Sequence, residues 1–222
     1  MLDVDRLYVS AYDKRMHTIF DVRPLHRKAV LASVDVVGAV KANDLRRPTP
    51  CAGWSLADLL AHMTVQHHGF AAAARGAGAE SAVWEAANVA DAVAADPVGT
   101  YAAAAANVLD AFADDRVLDA AFALPEFGPG ATFPGALAIG FHFVDYVVHG
   151  WDVARAIDAP FELPANVVAA ALPLALAVPD GDYRTIAGAP FAPAVPTHDA
   201  ATDFDHILSQ LGRSPHWVPP TG

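Results

Sequence analysis

Apolar residues recur at helical spacing along most of the chain, and no lasting alternation of polar and apolar positions indicates a strand. Between residues 22 and 41 the repeating apolar positions are Leu25, Ala29, Val30, Val36, Val37 and Val40. Between residues 55 and 75 they are Leu56, Leu59, Leu60, Met63 and Phe70. Pro24 suits a first helical turn, and Ser55 with Asp58 three residues later is typical of a helix N-terminus. Two long helices are therefore predicted in the first third of the chain.

The rest of the chain adds further helices and two long irregular connections. Helices are predicted over residues 97–115, 134–157, 164–177 and 201–211, with Pro173 as a kink or an end of the third and Gly212 closing the last. Residues 119–134 and 179–199 are rich in proline and glycine and read as connections. The pattern predicts an all-α, up-down four-helix bundle with additional C-terminal helices. We expect one domain over residues 22–222, preceded by an N-terminal extension over 1–21 for which disorder is one interpretation.

The composition and charge of the chain exclude some classes of binding partner. Of 222 residues, 54% are hydrophobic, enough for a sizeable core, and the formal net charge of −11 argues against a nucleic-acid partner. No apolar run is long enough to span a bilayer, and the N-terminus has no signal pattern, so no membrane association is expected. The lone cysteine, Cys51, excludes an internal disulfide and fits a cytoplasmic protein. Alanine-rich helix faces would allow a homodimer.

The segment VDYVVHGWDVARA, residues 144–156, places polar groups where burial is expected. Asp145 and His149 are four residues apart and share one face of the predicted helix. An unpaired buried carboxylate costs several kcal/mol, so a partner or a cation should be present. His62, in the apolar stripe of helix 55–75, can supply a third ligand and complete a set of two imidazoles and a carboxylate that suits a divalent metal.

Spacing alone leaves other interpretations open. Asp145 and His149 could form a simple buried ion pair, and His62 could be a core histidine with an ordinary hydrogen bond. His142, three residues before Asp145, could replace one ligand. Cys51 lies in a loop with no histidine beside it in sequence, and we interpret it as a small apolar packing residue rather than a nucleophile.

Two stretches resemble a known family. RPTPCAGWSLADLLAHM, residues 47–63, and VDYVVHGWDVARAI, residues 144–157, are similar to the two metal-binding motifs of the DinB-like proteins related to mycothiol-dependent maleylpyruvate isomerase. The C-terminal residues resemble those of the family's single-domain members. The resemblance implies a four-helix bundle in which His62, Asp145 and His149 hold zinc or nickel. It also gives Asp152 a supporting role, in which it bonds either to His149 or to Arg155. By their positions on the two helices, Gln66, one turn after His62, and His142 are further candidates for supporting or substrate-contacting groups.

The implied function is thiol chemistry on a small molecule. By resemblance, a thiol such as mycothiol would be activated by the metal and would attack a small electrophile, in an isomerase or transferase reaction; no catalytic residue is predicted. The alternative is a metal- or ligand-binding bundle without turnover. Two departures bear on this choice. The isomerase has a glutamate where this chain has the shorter Asp145, and the residues after 157 do not read as its second, α/β domain.

Overall fold

Seven α-helices and a two-stranded hairpin make up the regular structure in the described residues, 21–186 and 189–220, of the computed structural model. The helices are α1 (Arg23–Val37), α2 (Leu56–Ala74), α3 (Ala87–Ala95), α4 (Pro97–Ala111), α5 (Gly135–Ile157), α6 (Ala165–Ala177) and α7 (Asp203–Gln210). The strands are β1 (Ala121–Ala123) and β2 (Thr132–Pro134), antiparallel with Phe122 opposite Phe133. Most of the predicted N-terminal extension lies outside the described residues.

Four of the helices form the bundle that the sequence predicts. α1 packs mainly on α5, α2 packs mainly on α4, and α2 also contacts α5. α6 and α7 pack against each other, and α6 lies on α1 and α5, so they form the additional C-terminal layer. Within the described ranges, no helix combines the length and hydropathy that a transmembrane span requires.

Local sequence explains where the helices begin and end. Ser55 Oγ accepts from the backbone N–H of Asp58, and the Asp58 carboxylate accepts from the backbone N–H of Ser55, so α2 begins with a reciprocal cap. Thr202 and Asp205 do the same for α7. Gly212 follows α7 with a φ of +80°, a conformation that glycine adopts without steric cost. These boundaries agree with the predicted helices to within a few residues.

The predicted apolar stripes form the core. All six apolar positions in residues 22–41 are buried, as are all five positions in the stripe of α2. One buried cluster lies between α1, α2, α4 and α5, a second joins α5 to α6 and α7, and a third lies beneath the hairpin. α2 and α5 thus face each other through packed side chains, and this arrangement fixes the spacing between the polar groups they carry.

Three local expectations differ from the structure. The sequence predicts no strand in residues 119–134, but they form the short hairpin, which is too brief to show alternation in sequence. A separate helix, α3, precedes α4 and ends at Ala95. The next residue, Asp96, caps α4, because its side chain accepts from the backbone N–H of Gly99. Of the two roles predicted for Pro173, the end of the helix is excluded, because α6 continues past it to Ala177.

Candidate metal centre

Three side chains predicted as metal ligands converge between α2 and α5. His62 lies in the middle of α2, and Asp145 and His149 lie one turn apart on α5. One candidate ligand atom from each residue lies within 4.8 Å of the other two. Nε2 of His149 is 3.2 Å from Oδ1 of Asp145, and the ring centroids of His62 and His149 are 5.2 Å apart. The structure therefore brings together the residues that the sequence groups.

His149 faces a carboxylate at each ring nitrogen. Its Nε2 lies 3.2 Å from Asp145, and its Nδ1 donates to Oδ2 of Asp152 at 2.9 Å. Burial by itself lowers the pKa of His149, but the charge and hydrogen bond of Asp145, with the hydrogen bond to Asp152, outweigh burial and raise that pKa well above its ordinary value. Nε2 thus points into a place that attracts positive charge, whether a proton or a cation.

The two other members of the set complement His149. Burial, followed by the charge of His149, lowers the pKa of His62 to about 4, so its imidazole is neutral near pH 7 and keeps a lone pair for a metal. Burial raises the pKa of Asp145, but the charge and hydrogen bond of His149 outweigh it and the net pKa is about 2. A neutral imidazole and an ionised carboxylate are the protonation states that bind a divalent cation.

A second group of side chains could also hold a cation. Ligand atoms of Cys51, His149 and Asp152 lie within 4.8 Å of one another. However, Nη2 of Arg213 lies 3.1 Å from Oδ2 of Asp152 and 3.2 Å from Sγ of Cys51. A guanidinium stays charged at any ordinary pH, so it repels a second cation from this position. The set with His62 is therefore the better candidate.

Asp152 is the fully buried carboxylate behind the centre. Its Oδ2 accepts from Nδ1 of His149, from Nη2 of Arg213 and from the Cys51 thiol at 3.2 Å. Burial raises the pKa of Asp152, but the charge of Arg213 and the hydrogen bond from His149 lower it overall. Of the two bonds that the sequence allows for Asp152, the structure contains the one to His149. Arg155 instead donates to the backbone carbonyl of Trp217.

Cys51 packs against the core, as interpreted from the sequence, but it also has polar partners that the sequence does not indicate. The residue is partly exposed, and its Sγ contacts Asp152 and Arg213 and lies 3.9 Å from Nδ1 of His149. The sequence could not place a histidine beside Cys51, because the contact spans 98 residues. Trp54, at the end of the same loop, is 38% exposed, and its ring centroid lies 4.9 Å from that of His62. The loop therefore borders the candidate centre.

Arg213 is a residue of the site that sequence reasoning missed. It follows α7 and is 6% exposed, and its guanidinium reaches Asp152 across 61 residues. Nη1 donates to the carbonyl of Leu211, which fixes the side chain where it enters the core. A buried arginine after a short helix has no local spacing signal, so only the tertiary contact identifies it.

The structure does not support the alternative in which His142 replaces a ligand. Its Nδ1 pairs with Nε2 of His26 at 2.8 Å, and its Nε2 pairs with Nδ1 of His67 at 3.2 Å. All three rings are buried, and His142 and His67 both stack on Tyr146. Both nitrogens of His142 are thus engaged in a separate histidine cluster, so it does not replace a ligand.

Gln66 lies one turn beyond His62 on α2 and is buried, as a supporting group near the centre should be. Its Nε2 donates to Oε1 of Glu126 at 2.6 Å. Glu126 belongs to a short 3-10 helix, Pro125–Phe127, in the connection before α5. No spacing rule links Glu126 to the site, because the connection has no periodic pattern.

Comparison with known proteins identifies a family model. The model described as "Mycothiol maleylpyruvate isomerase N-terminal domain" matches residues 26–154, which is more than half of the chain and includes all three candidate ligands. A crystal structure of a mycothiol-dependent maleylpyruvate isomerase superposes with a TM-score of 0.54 at 12% identity, covering 79% of this chain and 73% of that one. At that identity the likeness establishes the fold alone.

Two full-length relatives come from Mycobacterium tuberculosis. They are the uncharacterized protein Rv0738 of strain H37Rv and the uncharacterized protein MT0763 of strain CDC 1551. Each is 28% identical over 190 residues, covering 85% of this chain and 96% of the relative. The similarity thus extends beyond the matched domain into the C-terminal part of the chain.

Proposed function

The chain belongs to the mycothiol maleylpyruvate isomerase N-terminal domain family, and from this membership we propose that it is a divalent-metal protein. His62, Asp145 and His149 would hold the cation. The observation that carries the proposal is the meeting of their ligand atoms, within 4.8 Å, from two helices distant in sequence. Two imidazoles and one carboxylate suit borderline divalent metals, so zinc or nickel is the expected ion. Three protein ligands leave room for a small molecule.

We propose that the small molecule is a thiol and that the reaction is thiol-dependent isomerisation or transfer on a small electrophile. The solved relative is described as mycothiol-dependent, which supports mycothiol as the first thiol to test. A divalent cation in this centre would favour the deprotonated form of a thiol that binds it. The residues of this chain would then bind the cation and form the adjacent binding site for the thiol and the electrophile.

The surroundings of the set support both tasks. Asp152 accepts a hydrogen bond from Nδ1 of His149, and Arg213 donates to Asp152 in turn. These bonds orient the imidazole ring so that Nε2 is directed toward Asp145. Trp54 offers a partly exposed aromatic surface beside His62, against which an apolar part of a ligand can pack. A buried, oriented imidazole next to an accessible aromatic ring fits a centre that receives a ligand from solvent.

Metal content tests the first part of the proposal. Purified protein should contain about one divalent ion per chain, measured by elemental analysis. His62→Ala and His149→Ala should lose the ion while His198→Ala, which changes an exposed histidine elsewhere, should retain it. If the wild type contains no divalent ion and binds no added zinc or nickel, the metal proposal is wrong.

Thiol dependence tests the second part. The metal-loaded protein should consume maleylpyruvate or another small electrophile faster with mycothiol than without it, and the His149→Ala variant should show no such gain. A metal-loaded protein that binds no thiol would contradict the thiol proposal. Binding of mycothiol without turnover across a panel of electrophiles would favour a binding protein over an enzyme.

A further inference from the structure

A carboxyl group lies beside the candidate centre without belonging to the ligand set. Oε1 of Glu126 accepts from Nε2 of Gln66 at 2.6 Å. Gln66 is 5% exposed and lies one turn after His62, on the same face of α2. One helical turn advances about 5.4 Å, so the Glu126 carboxyl is anchored about one turn above His62.

A second contact fixes the same segment against α5. The ring of Phe127, next to Glu126 in the chain, stacks on the ring of Phe141 with centroids 5.1 Å apart. Phe141 lies one turn before Asp145. The 3-10 helix that carries Glu126 is therefore held against both ligand-bearing helices, at the same level of each, one turn from His62 and one turn from Asp145.

The electrostatic surroundings of Glu126 suit a group that takes up a proton. Burial of its carboxyl raises the pKa of Glu126, the hydrogen bond from Gln66 opposes this, and the negative charge of Asp145 raises it further. Asp145 thus acts on Glu126 although the two belong to different elements. Among residues 21–186 and 189–220, no lysine, arginine or histidine forms an ion pair with Glu126.

The exposure of Glu126 differs along its length. The residue as a whole is exposed, whereas its carboxyl end contacts the buried amide of Gln66. Glu126 therefore lies at the boundary between solvent and the buried groups next to the centre.

We propose that Glu126 is the proton acceptor of the centre and that Gln66 positions its carboxyl. This inference rests on the proposed thiol function. When a thiol binds, its S–H bond breaks, the electron pair stays on sulfur and the proton forms an O–H bond on Glu126. The same proton is then available to the product, so no other reactant is needed.

Counting protons tests the assignment. Zinc-loaded wild type is titrated with mycothiol by calorimetry near pH 7 in buffers of different ionisation enthalpy, which gives the number of protons released to the buffer. A thiol that binds as thiolate loses about one proton. We expect the wild type to release fewer protons than Glu126→Gln, which should approach one. The difference should be close to one proton if Glu126 receives it.

Two further variants sharpen the result. Gln66→Leu should move the proton count toward that of Glu126→Gln, because the carboxyl loses its anchor, while zinc content stays unchanged. Glu80→Gln, an exposed change after α2, should behave as wild type.

Each remaining outcome has a separate meaning. Equal proton release by wild type and Glu126→Gln, with mycothiol bound to both, would overturn the role of Glu126 alone. Failure of zinc-loaded wild type to bind mycothiol would overturn the proposed function, and the role of Glu126 with it.

Discussion

Asp152 accepts a hydrogen bond from Nδ1 of His149 at 2.9 Å, and it does so with no solvent exposure. Because Nδ1 is the donor in this bond, Nε2 is the nitrogen left to face Asp145 and His62. A buried carboxylate that holds an imidazole in this way fixes both the tautomer and the orientation of the ring. His149 and Asp152 are about one helical turn apart on α5. The charge of the buried Asp152 is balanced by Arg213, which lies near the far end of the chain.

The Asp152→Asn variant should bind metal more weakly while keeping its fold. Asparagine has nearly the same shape but no charge, so it holds the His149 ring less firmly. Loss of such a partner typically costs 10- to 100-fold in metal affinity, and we expect a loss of about that size. Competition with a chromophoric chelator measures the affinity. Asp158→Asn, which changes an exposed carboxylate after the same helix, serves as control, and equal affinities for both variants would argue against the role of Asp152.

Arg213→Met should destabilise the protein, because it leaves Asp152 buried without its cationic partner. Removing one member of a buried ion pair costs about 3–5 kcal/mol of unfolding free energy. Urea denaturation measures the loss. Combining the change with Asp152→Asn should give less destabilisation than the sum of the two single variants, since the buried charge is removed as well. Strict additivity would show that the two residues act independently.

Sequence periodicity is sufficient for most of the helices and for the pairing of Asp145 with His149, because both depend on local spacing, whereas the place of His62 beside them depends on how two helices pack. A helix places residues four apart on one face, so the sequence alone pairs Asp145 with His149. Local spacing does not identify Arg213, Glu126 or Cys51. They lie outside the α-helices, and their contacts at the site join residues that are far apart in sequence.

His142 shows the limit of the same rule. It shares a face of α5 with the ligands. However, its ring nitrogens contact His26 on α1 and His67 on α2 instead of the candidate ligands. Spacing on one helix identifies a shared face, whereas the partner on that face depends on how the other helices pack.

Three buried histidines should make the protein sensitive to acid. His26, His67 and His142 are at most 1% exposed, and burial lowers the pKa of each, that of His26 to about 3. The unfolded chain, with histidine pKa values of about 6.5, therefore takes up protons before the folded one does as pH falls. Stability present above about pH 6.5 should be lost progressively below it. Urea denaturation between about pH 8 and pH 4 measures the change.

A variant isolates the contribution of one ring. His26→Gln should reduce the slope of unfolding free energy against pH, by up to about 1.4 kcal/mol per pH unit between about pH 6.5 and pH 4. His198→Gln, which changes an exposed histidine, should leave the slope as in wild type. If His26→Gln kept the full wild-type slope, His26 would have to be protonated in the folded state.

Replacing Cys51 by alanine decides between the two candidate ligand sets. If His62, Asp145 and His149 hold the ion, Cys51→Ala should keep its metal content, and its affinity should change only modestly through Asp152. Cobalt(II) gives a direct signal, because a cysteine sulfur bound to it produces an intense near-ultraviolet charge-transfer band. Without added thiol, the wild type and Cys51→Ala should both lack that band, and His62→Ala should fail to bind cobalt. A band in the wild type that disappears in Cys51→Ala would place the ion with Cys51 and Asp152, against the repulsion expected from Arg213.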